Sequence, residues 1–293
     1  MSPLSRSELI LNPDGSIYHL KLLPGEIAPL IITVGDMERV PEVSKYFDAI
    51  ELKKGNREFL THTGTLAGKR ISVVSTGIGT DNIDIVLGEL DALHNIDFRS
   101  RKVRSKKIQL SIIRIGTSGA LQADLGVDAF VLADAAVGLD GLLHFYRSQH
   151  VRDPALELAV VQHLGLPSWP VPPYAVACDK ELAARFEGER MSQGICVTSP
   201  GFYGPQGRAL RLAPGLVEVE KLASFDFEGR KLTHMEMETA GLYGLARLLG
   251  HRAVSLSAIL ANRSLGAFSQ STALTVDNLI KFALEGLILD RGV

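Results

Sequence analysis

The sequence predicts an α/β protein in which helices cover a mixed, largely parallel β-sheet. Short runs rich in β-branched residues alternate with longer segments whose apolar residues recur at helical spacing. The chain has 293 residues, of which 46% are hydrophobic, and this is enough to bury a large core. Neither an internal repeat nor a linker rich in proline, glycine and serine interrupts it. We therefore expect a single domain that spans residues 1–293.

The same patterns predict the individual elements. Strands are expected at 29–34, 70–75, 108–115, 127–131 and 252–260. Helices are expected at 82–94, 154–164, 236–249 and 273–289. Because open α/β sheets bind ligands beyond the carboxyl ends of their strands, the functional residues are expected at those ends.

Composition excludes several classes of function. Lysine and arginine number 31 against 33 acidic residues, and a net charge of −2 gives no general attraction for nucleic acids or anionic lipids. The two cysteines, Cys178 and Cys196, lack the spacing of a metal site and suit a reducing compartment. Residues 1–14 show no secretory signal, and no stretch approaches the roughly twenty apolar residues of a membrane span. We expect a cytoplasmic protein without a metal, a nucleic-acid partner or a membrane partner.

One segment departs from this balance, since residues 99–107 contain six basic residues in nine. Such a run can form a phosphate or nucleic-acid patch, or it can be a solvated loop inserted before a buried strand. We favour the loop, because a single run of charge is a weak functional signal.

Two strand ends have the features of an anion site. Gly35 ends the first strand, and Arg39 follows in the expected first turn of a helix, where N–H groups and a guanidinium attract anions. Arg114 lies inside an apolar strand, where an unpaired charge is costly, and small or hydroxyl residues follow it up to Gly119. The alternatives are an ordinary helix start at Arg39 and a buried structural ion pair at Arg114.

Two further segments can recognise a base and a sugar. The loop at 201–208 is rich in glycine and proline and carries aromatic rings, an amide and a guanidinium, which can stack on a planar base and bond its edge. Residues 235–240 place two carboxylates around Met237 at an expected helix start. The carboxylates can bind sugar hydroxyls, or they can stabilise the helix by their favourable interaction with its dipole. The glycines at 75–81 form only a partial dinucleotide-binding pattern, and a tight turn explains them.

Anion binding, base stacking and hydroxyl recognition are together what nucleoside phosphorolysis requires. Six motifs occur in order along the chain, namely His19-Leu20, Val34–Arg39, Asn56–Phe59, Ser75–Gly79, Arg114–Ala120 and Met235–Glu238. In these motifs the chain resembles the uridine phosphorylase branch of the nucleoside phosphorylase superfamily. The resemblance implies an α/β fold with a central mixed, partly barrel-like sheet flanked by helices. It also implies a homo-oligomer, a dimer or a hexamer, whose active sites are completed by a neighbouring subunit.

The resemblance further implies a role for each matched residue. Phosphate would be held by Gly35, Arg39, Arg114 and Thr117, with Arg57 from the adjacent subunit. Ribose would be held by Glu236, Met237 and Glu238, with His19 from that subunit, and the base by Phe202, Gln206 and Arg208. The catalytic residues would be Arg114, Gln206, Arg208 and Glu238. Phosphate would attack C1′ directly, while Gln206 and Arg208 stabilise charge on the departing base.

The implied activity is cleavage of uridine to uracil and ribose 1-phosphate, a glycosyl transfer of nucleotide salvage that uses phosphate as co-substrate and needs no cofactor. One alternative is a purine or broad-specificity phosphorylase, which Gln206, Arg208 and Asn262 disfavour. Purine-acting relatives usually have an Asp after the late strand, where this chain has Asn262. Another is a non-catalytic nucleoside-binding protein on the same fold. Some relatives bind a monovalent cation through positions matching Glu58, the Ile78 carbonyl and a serine. Asn82 replaces that serine, which disfavours the cation.

Overall fold

A twelve-stranded mixed β-sheet forms the centre of the protein within residues 2–165, 171–215 and 217–288, which the computed structural model describes. The strands are β1 (Leu30–Val34), β2 (Ala49–Asn56), β3 (Phe59–Leu66), β4 (Lys69–Ser75), β5 (Ile96–Asp97), β6 (Lys102–Val103), β7 (Ser111–Ala120), β8 (Phe130–Gly138), β9 (Tyr174–Ala177), β10 (Met191–Thr198), β11 (Asp226–Phe227), β12 (Arg230–Glu236), β13 (Arg252–Asn262) and β14 (Ala267–Phe268). The α-helices are α1 (Arg39–Ser44), α2 (Thr80–Asn95), α3 (Pro154–Leu164), α4 (Lys180–Ala183), α5 (Val219–Ala223), α6 (Thr239–Leu249) and α7 (Thr272–Ile288).

The strand order is β11-β12-β10-β8-β13-β7-β1-β4-β3-β2, with β9 on β8 and β14 on β13. Strands β4, β1, β7 and β13 run parallel, as do β8, β10 and β12, whereas β13 and β8 are antiparallel. The end of β12 also pairs with the end of β7, with Met235 opposite Gly119, so the sheet curls back on itself. The predicted mixed, partly barrel-like sheet flanked by helices is confirmed.

The central strands form because most of their side chains are apolar on both faces. In β1 the four residues from Ile31 to Val34 are buried, and the first half of β7 is a similar run. Helices α2 and α6 pack against each other and α7 packs against β13, each through buried leucine, isoleucine or alanine side chains. This packing makes a rigid base for the loops and strand ends that carry polar residues.

Some predicted boundaries are wrong. The strand expected at 127–131 begins at Phe130, because Asp128 has a positive φ of 66° and belongs to the preceding turn. The helix expected from residue 236 begins at Thr239, and Glu236 ends β12 instead. The helix expected to end at 289 continues at least to Ile288, beyond which the chain lies outside the described residues.

The basic segment 99–107 contains β6, which forms a two-stranded hairpin with β5. Arg101 has a φ of 57°, and its side chain donates to the backbone carbonyl groups of Leu4, Ser5 and Leu9. The other five basic side chains of the segment are exposed, as expected for a solvated loop. Within the described part of the chain, no helix is long and apolar enough to cross a membrane.

Candidate active site

A cavity of about 950 Å³ opens where the carboxyl ends of β1, β7, β12 and β13 meet the loop after β10. Ten of the twelve predicted site residues line it, namely Gly35, Arg39, Arg114, Thr117, Phe202, Gln206, Arg208, Glu236, Met237 and Glu238. Residues that are distant in the sequence thus share one space at the strand ends, as the fold class predicts. The other two, His19 and Arg57, lie outside this cavity.

Arg114 is almost fully buried and lies between two carboxylates. Its Nη2 atom donates to Oε2 of Glu238 and lies 3.2 Å from Oε2 of Glu236. The paired carboxylates outweigh desolvation and raise the pKa of Arg114 above its usual value. The Nη1 atom is buried but has no hydrogen-bond partner. The structural ion pair and the predicted ligand contact are therefore compatible, because they use different nitrogens of one guanidinium.

Gly116 makes room for that guanidinium. A Cβ atom at position 116 would lie 1.9 Å from Nη1 of Arg114, which is far inside van der Waals contact. Any larger residue would displace the arginine head group. The Gly-Thr-Ser-Gly sequence after Arg114 thus has a steric purpose in addition to exposing N–H groups and hydroxyls.

Arg39 supplies a second positive charge. Its Nη1 atom has one long hydrogen bond, 3.4 Å, to the carbonyl of Ile115, and no carboxylate lies within ion-pair distance among the described residues. Burial and the neighbouring charge of Arg114 lower the pKa of Arg39. A buried guanidinium and a partly buried one, both with incomplete hydrogen bonding, favour the binding of an anion between them.

Glu238 and Glu236 lie in different environments although they are two residues apart. Burial raises the pKa of Glu238, and its Oε1 accepts the N–H of Gly79 at 2.9 Å. Burial opposes ionisation of Glu236 as well, but Arg114 and hydrogen bonds from Thr198 and two backbone N–H groups hold its pKa below the ordinary value. Glu236 accepts the N–H groups of residues 238 and 239, and so stabilises the start of α6.

The loop after β10 forms the other wall. Arg208 stacks on the Phe202 ring, 3.8 Å from its centroid, and its Nη1 donates to the Phe202 carbonyl at 2.8 Å and to Oε1 of Gln206. Gln206 is buried, whereas Phe202 is 50% exposed. Burial and the nearby charge of Arg263 lower the pKa of Arg208 to about 10, so it stays protonated at neutral pH. The loop therefore presents an aromatic ring, an amide and a cation together.

Arg263 and Asn262 act from outside the cavity. Arg263 donates to the carbonyl of Gln206 at 3.0 Å, which braces the loop from behind. Asn262 donates to the carbonyls of Gln122 and Leu125, at 2.9 Å each, and accepts the N–H of Leu265. The Asn262 side chain does not line the cavity.

His19 and Arg57 lie close together on the surface of the protein. The Nδ1 atom of His19 is 2.7 Å from Oε1 of Glu89, and Asn56 donates to the His19 carbonyl at 2.8 Å. Arg57, which has a φ of 54°, places its guanidinium 5.5 Å from the centre of the Tyr18 ring. We call Tyr18, His19, Asn56, Arg57 and Glu89 the His19–Arg57 cluster. Its side chains are at least partly exposed.

Sequence reasoning assigned no individual role to Ser118 or Phe268, although both line the cavity. Ser118 has a buried hydroxyl without a hydrogen-bond partner, and its place among Gly116, Thr117 and Gly119 was the available signal. Phe268 is 62% exposed and lies on β14, the partner of the end of β13. Nothing in its local sequence indicates that pairing.

Comparison with known proteins gives the family. The model of the phosphorylase superfamily matches residues 29–285. The chain belongs to the phosphorylase superfamily. The matched range includes every residue that lines the cavity, but it does not include His19.

Individual members of the superfamily align over most of the chain. A uridine phosphorylase of Thermococcus kodakarensis is 31% identical, over 93% of this chain and 88% of the relative. A DeoD-type purine nucleoside phosphorylase of Listeria welshimeri is 27% identical, over 92% of this chain and 98% of the relative. Among solved structures, a nucleoside phosphorylase of Trypanosoma brucei described as showing uridine phosphorylase activity has a TM-score of 0.83. It is 26% identical and covers 96% of this chain and 99% of its own.

No cluster of three or more histidine, cysteine or acidic residues suited to a metal occurs within the described ranges. At the position where some relatives are expected to hold a monovalent cation, Nδ2 of Asn82 donates to the Ile78 carbonyl at 3.3 Å. An amide donor on that carbonyl competes with a cation for the same oxygen.

Proposed function

We propose that this phosphorylase cleaves uridine with inorganic phosphate to give uracil and ribose 1-phosphate. One observation carries the proposal: a single cavity contains two incompletely bonded guanidinium groups, a buried carboxylate and the Gln206–Arg208 pair. These groups match the phosphate, the ribose hydroxyls and the base of the two substrates. The uridine phosphorylases among the relatives support the same assignment.

At the phosphate end, Arg39 and Nη1 of Arg114 hold the anion, with Gly35 and the Thr117 hydroxyl beside it. Fixing the nucleophile near C1′ replaces a bimolecular encounter by reaction within a complex, and this supplies much of the rate. Glu238 accepts hydrogen bonds from the 2′- and 3′-hydroxyls, while Met237 packs on the sugar. Glu238 also places negative charge near the ribose as it becomes oxocarbenium-like.

At the base end, electrons of the glycosidic bond move onto the pyrimidine ring as the bond breaks. Arg208 and Gln206 donate to the oxygens of that ring, and their hydrogen bonds strengthen as negative charge develops there. The enzyme needs no side-chain nucleophile, because phosphate itself attacks. We propose that it acts in the cytoplasm without a cofactor.

Phosphate dependence tests the proposal directly. Base release from uridine is expected to require phosphate and to yield ribose 1-phosphate in equal amount with uracil, because the guanidinium groups bind the nucleophile. Chromatography of both products with and without phosphate measures this. Equal uracil release in phosphate-free buffer would identify a hydrolase and contradict the proposed mechanism.

We also infer that each site is completed by a second subunit of a homo-oligomer. His19 and Arg57 lie outside their own chain's cavity, yet Asn56 and Tyr18 hold them side by side on the surface. A two-fold dimer brings the same surface patch of each chain to the other. The His19–Arg57 cluster then reaches the partner's cavity, where Arg57 adds a third cation for phosphate and His19 meets the 5′-hydroxyl.

Subunit mixing tests this arrangement. Arg57→Ala and Glu238→Ala should each be inactive, but a mixed dimer has one site that carries neither defect. After subunit exchange at equal concentrations, about a quarter of wild-type activity is expected, since half of the dimers are mixed and each has one intact site. Mixing Arg57→Ala with His19→Ala is the matched control and should restore nothing. Verified mixed dimers without activity would place Arg57 and Glu238 in one chain's site.

A further inference from the structure

Thr198 ends β10 directly behind the cavity but does not line it. Its side chain is buried, and its hydroxyl donates to Oε1 of Glu236 at 2.7 Å. The same hydroxyl accepts the backbone N–H of Ala240 in the first turn of α6, at 2.9 Å. One hydroxyl therefore joins β10, the end of β12 and the start of α6.

Glu236 is bonded on nearly all sides. Besides Thr198, it accepts the N–H of Glu238 at 2.9 Å, the N–H of Thr239 at about 3.0 Å and the thiol of Cys196 at 3.4 Å. A carboxylate has about four lone-pair sites, and these donors together with Arg114 use them all. Glu236 thus has little capacity left for a ligand hydroxyl, and its remaining influence on the cavity is through Arg114.

The position of the Arg114 guanidinium is set on one side by this carboxylate. Nη2 lies between Glu236 and Glu238, whereas Nη1 lies against Gly116, where it is buried and has no hydrogen-bond partner. If Glu236 shifts, Nη2 keeps only Glu238, which lies on the neighbouring turn. The guanidinium group then has a carboxylate on one side only, and its orientation towards the cavity can change.

We propose that Thr198 and Glu236 are positioning residues that hold the Arg114 guanidinium so that Nη1 faces phosphate. This rests on the proposed phosphorolysis, in which Arg114 binds phosphate. The Thr198 hydroxyl holds the Glu236 carboxylate, and the carboxylate holds the Arg114 guanidinium. Loss of the hydroxyl therefore weakens phosphate binding and lowers the rate at which phosphate attacks. Small displacements of a group that holds the nucleophile have large effects on rate.

Threonine variants test the hydroxyl. Thr198→Val keeps the shape of the side chain but removes both hydrogen bonds, and it is expected to raise KM for phosphate and lower kcat, together by about 10²-fold in kcat/KM for phosphate. Its KM for uridine should change by less than about twofold, since uridine does not contact this residue. Thr198→Ser keeps the hydroxyl and should restore most of the wild-type value. Ser199→Ala is the matched control, because the neighbouring Ser199 hydroxyl is buried and has no partner.

A second variant separates positioning from sugar binding, and it remains informative if Thr198→Val does not fold. Glu236→Gln should raise KM for phosphate while leaving KM for uridine nearly unchanged. A rise in KM for uridine alone would place Glu236 at the ribose and overturn the proposal. Equal kinetics of Thr198→Val and Thr198→Ser would also overturn the proposal.

Calorimetric titration of inorganic phosphate without nucleoside should show weaker binding to Thr198→Val than to wild type. If the wild type binds phosphate but does not cleave uridine, the proposed function fails while this binding comparison still tests the positioning.

Discussion

Replacing Arg114 by alanine is expected to abolish phosphorolysis and also to destabilise the protein. Removing a single preorganised donor costs about 10²–10³ in kcat, and Arg114 contributes a full charge as well, so we expect a loss of at least about 10³ in kcat/KM. Two buried carboxylates, Glu236 and Glu238, would lose their cation. Removal of one partner from a buried ion pair typically costs about 3–5 kcal/mol of folding free energy.

The pH dependence of stability tests whether Arg114→Ala destabilises the protein by leaving two buried carboxylates without their cation. Without Arg114, burial should raise the folded-state pKa values of Glu236 and Glu238 above those of the unfolded chain. The folded state then binds more protons than the unfolded state, so its stability falls as pH rises between the two sets of pKa values. The stability deficit of Arg114→Ala relative to wild type should therefore be smaller near about pH 5 than near about pH 8. Denaturant unfolding followed by circular dichroism at both pH values measures this.

Two further variants separate charge, geometry and stability. Arg114→Lys keeps the charge but loses the planar fork that serves two carboxylates and phosphate together, so it should fold and still be strongly impaired. Arg152→Ala is the matched control, since Arg152 forms a partly buried ion pair with Glu157 at 2.6 Å and does not line the cavity. It should lose stability but keep activity per folded molecule. Full activity of Arg114→Lys would contradict the use of two different guanidinium nitrogens for the carboxylates and for phosphate.

The sequence was sufficient for the fold class and for most of the cavity. Runs of β-branched residues marked β1, β4, β7 and β13, because these strands are apolar on both faces. Strands β3, β10 and β12 were not predicted, since threonine, histidine, glutamine and lysine interrupt their apolar patterns. Clusters of glycine, hydroxyl and charged residues at strand ends marked the cavity, because short side chains there expose the backbone to a ligand. The assignment of residues 1–293 to one domain stays a prediction.

The features of the site that the sequence did not predict depend on contacts between distant segments of the chain. Arg114 and Glu238 are 124 positions apart, and only the curl that brings β12 against β7 makes them partners. Glu236 was expected at a helix start beside the sugar, but it ends β12, and this was not predicted because β12 pairs with strands that are distant in the sequence. Asn262 was expected to contribute to base selectivity, but its hydrogen bonds are to the backbone of the loop at 122–125. A local pattern shows which residue types are present, but not in which direction a side chain lies.

Because Asn262 does not line the cavity, selectivity for the base is expected to depend on Gln206 and Arg208. The Oε1 atom of Gln206 accepts from Arg208 and has a second lone pair, so it can also accept the N3–H of uracil, while guanidinium and amide donors meet the ring oxygens. Cytidine lacks the N3 proton and carries a donor at position 4. Inosine and adenosine leave buried polar groups unpaired, and sites of this kind often reject such ligands by several kcal/mol.

Arg208→Ala is therefore expected to lower kcat/KM for uridine by about 10²–10³, since it removes charge stabilisation from the leaving base. It also frees Gln206 and uncovers one face of Phe202, so binding of the base should weaken too. Gln206→Ala should reduce the rate and, in addition, narrow the difference between uridine and inosine. The control is Arg211→Ala, because Arg211 lies exposed on the same loop and does not line the cavity. A competition assay with uridine and inosine in one tube measures the ratio of the two kcat/KM values. If the wild-type protein cleaves inosine as efficiently as uridine, discrimination between the bases does not depend on Gln206 and Arg208. The assignment to uridine is then wrong, and only the assignment to the superfamily stands.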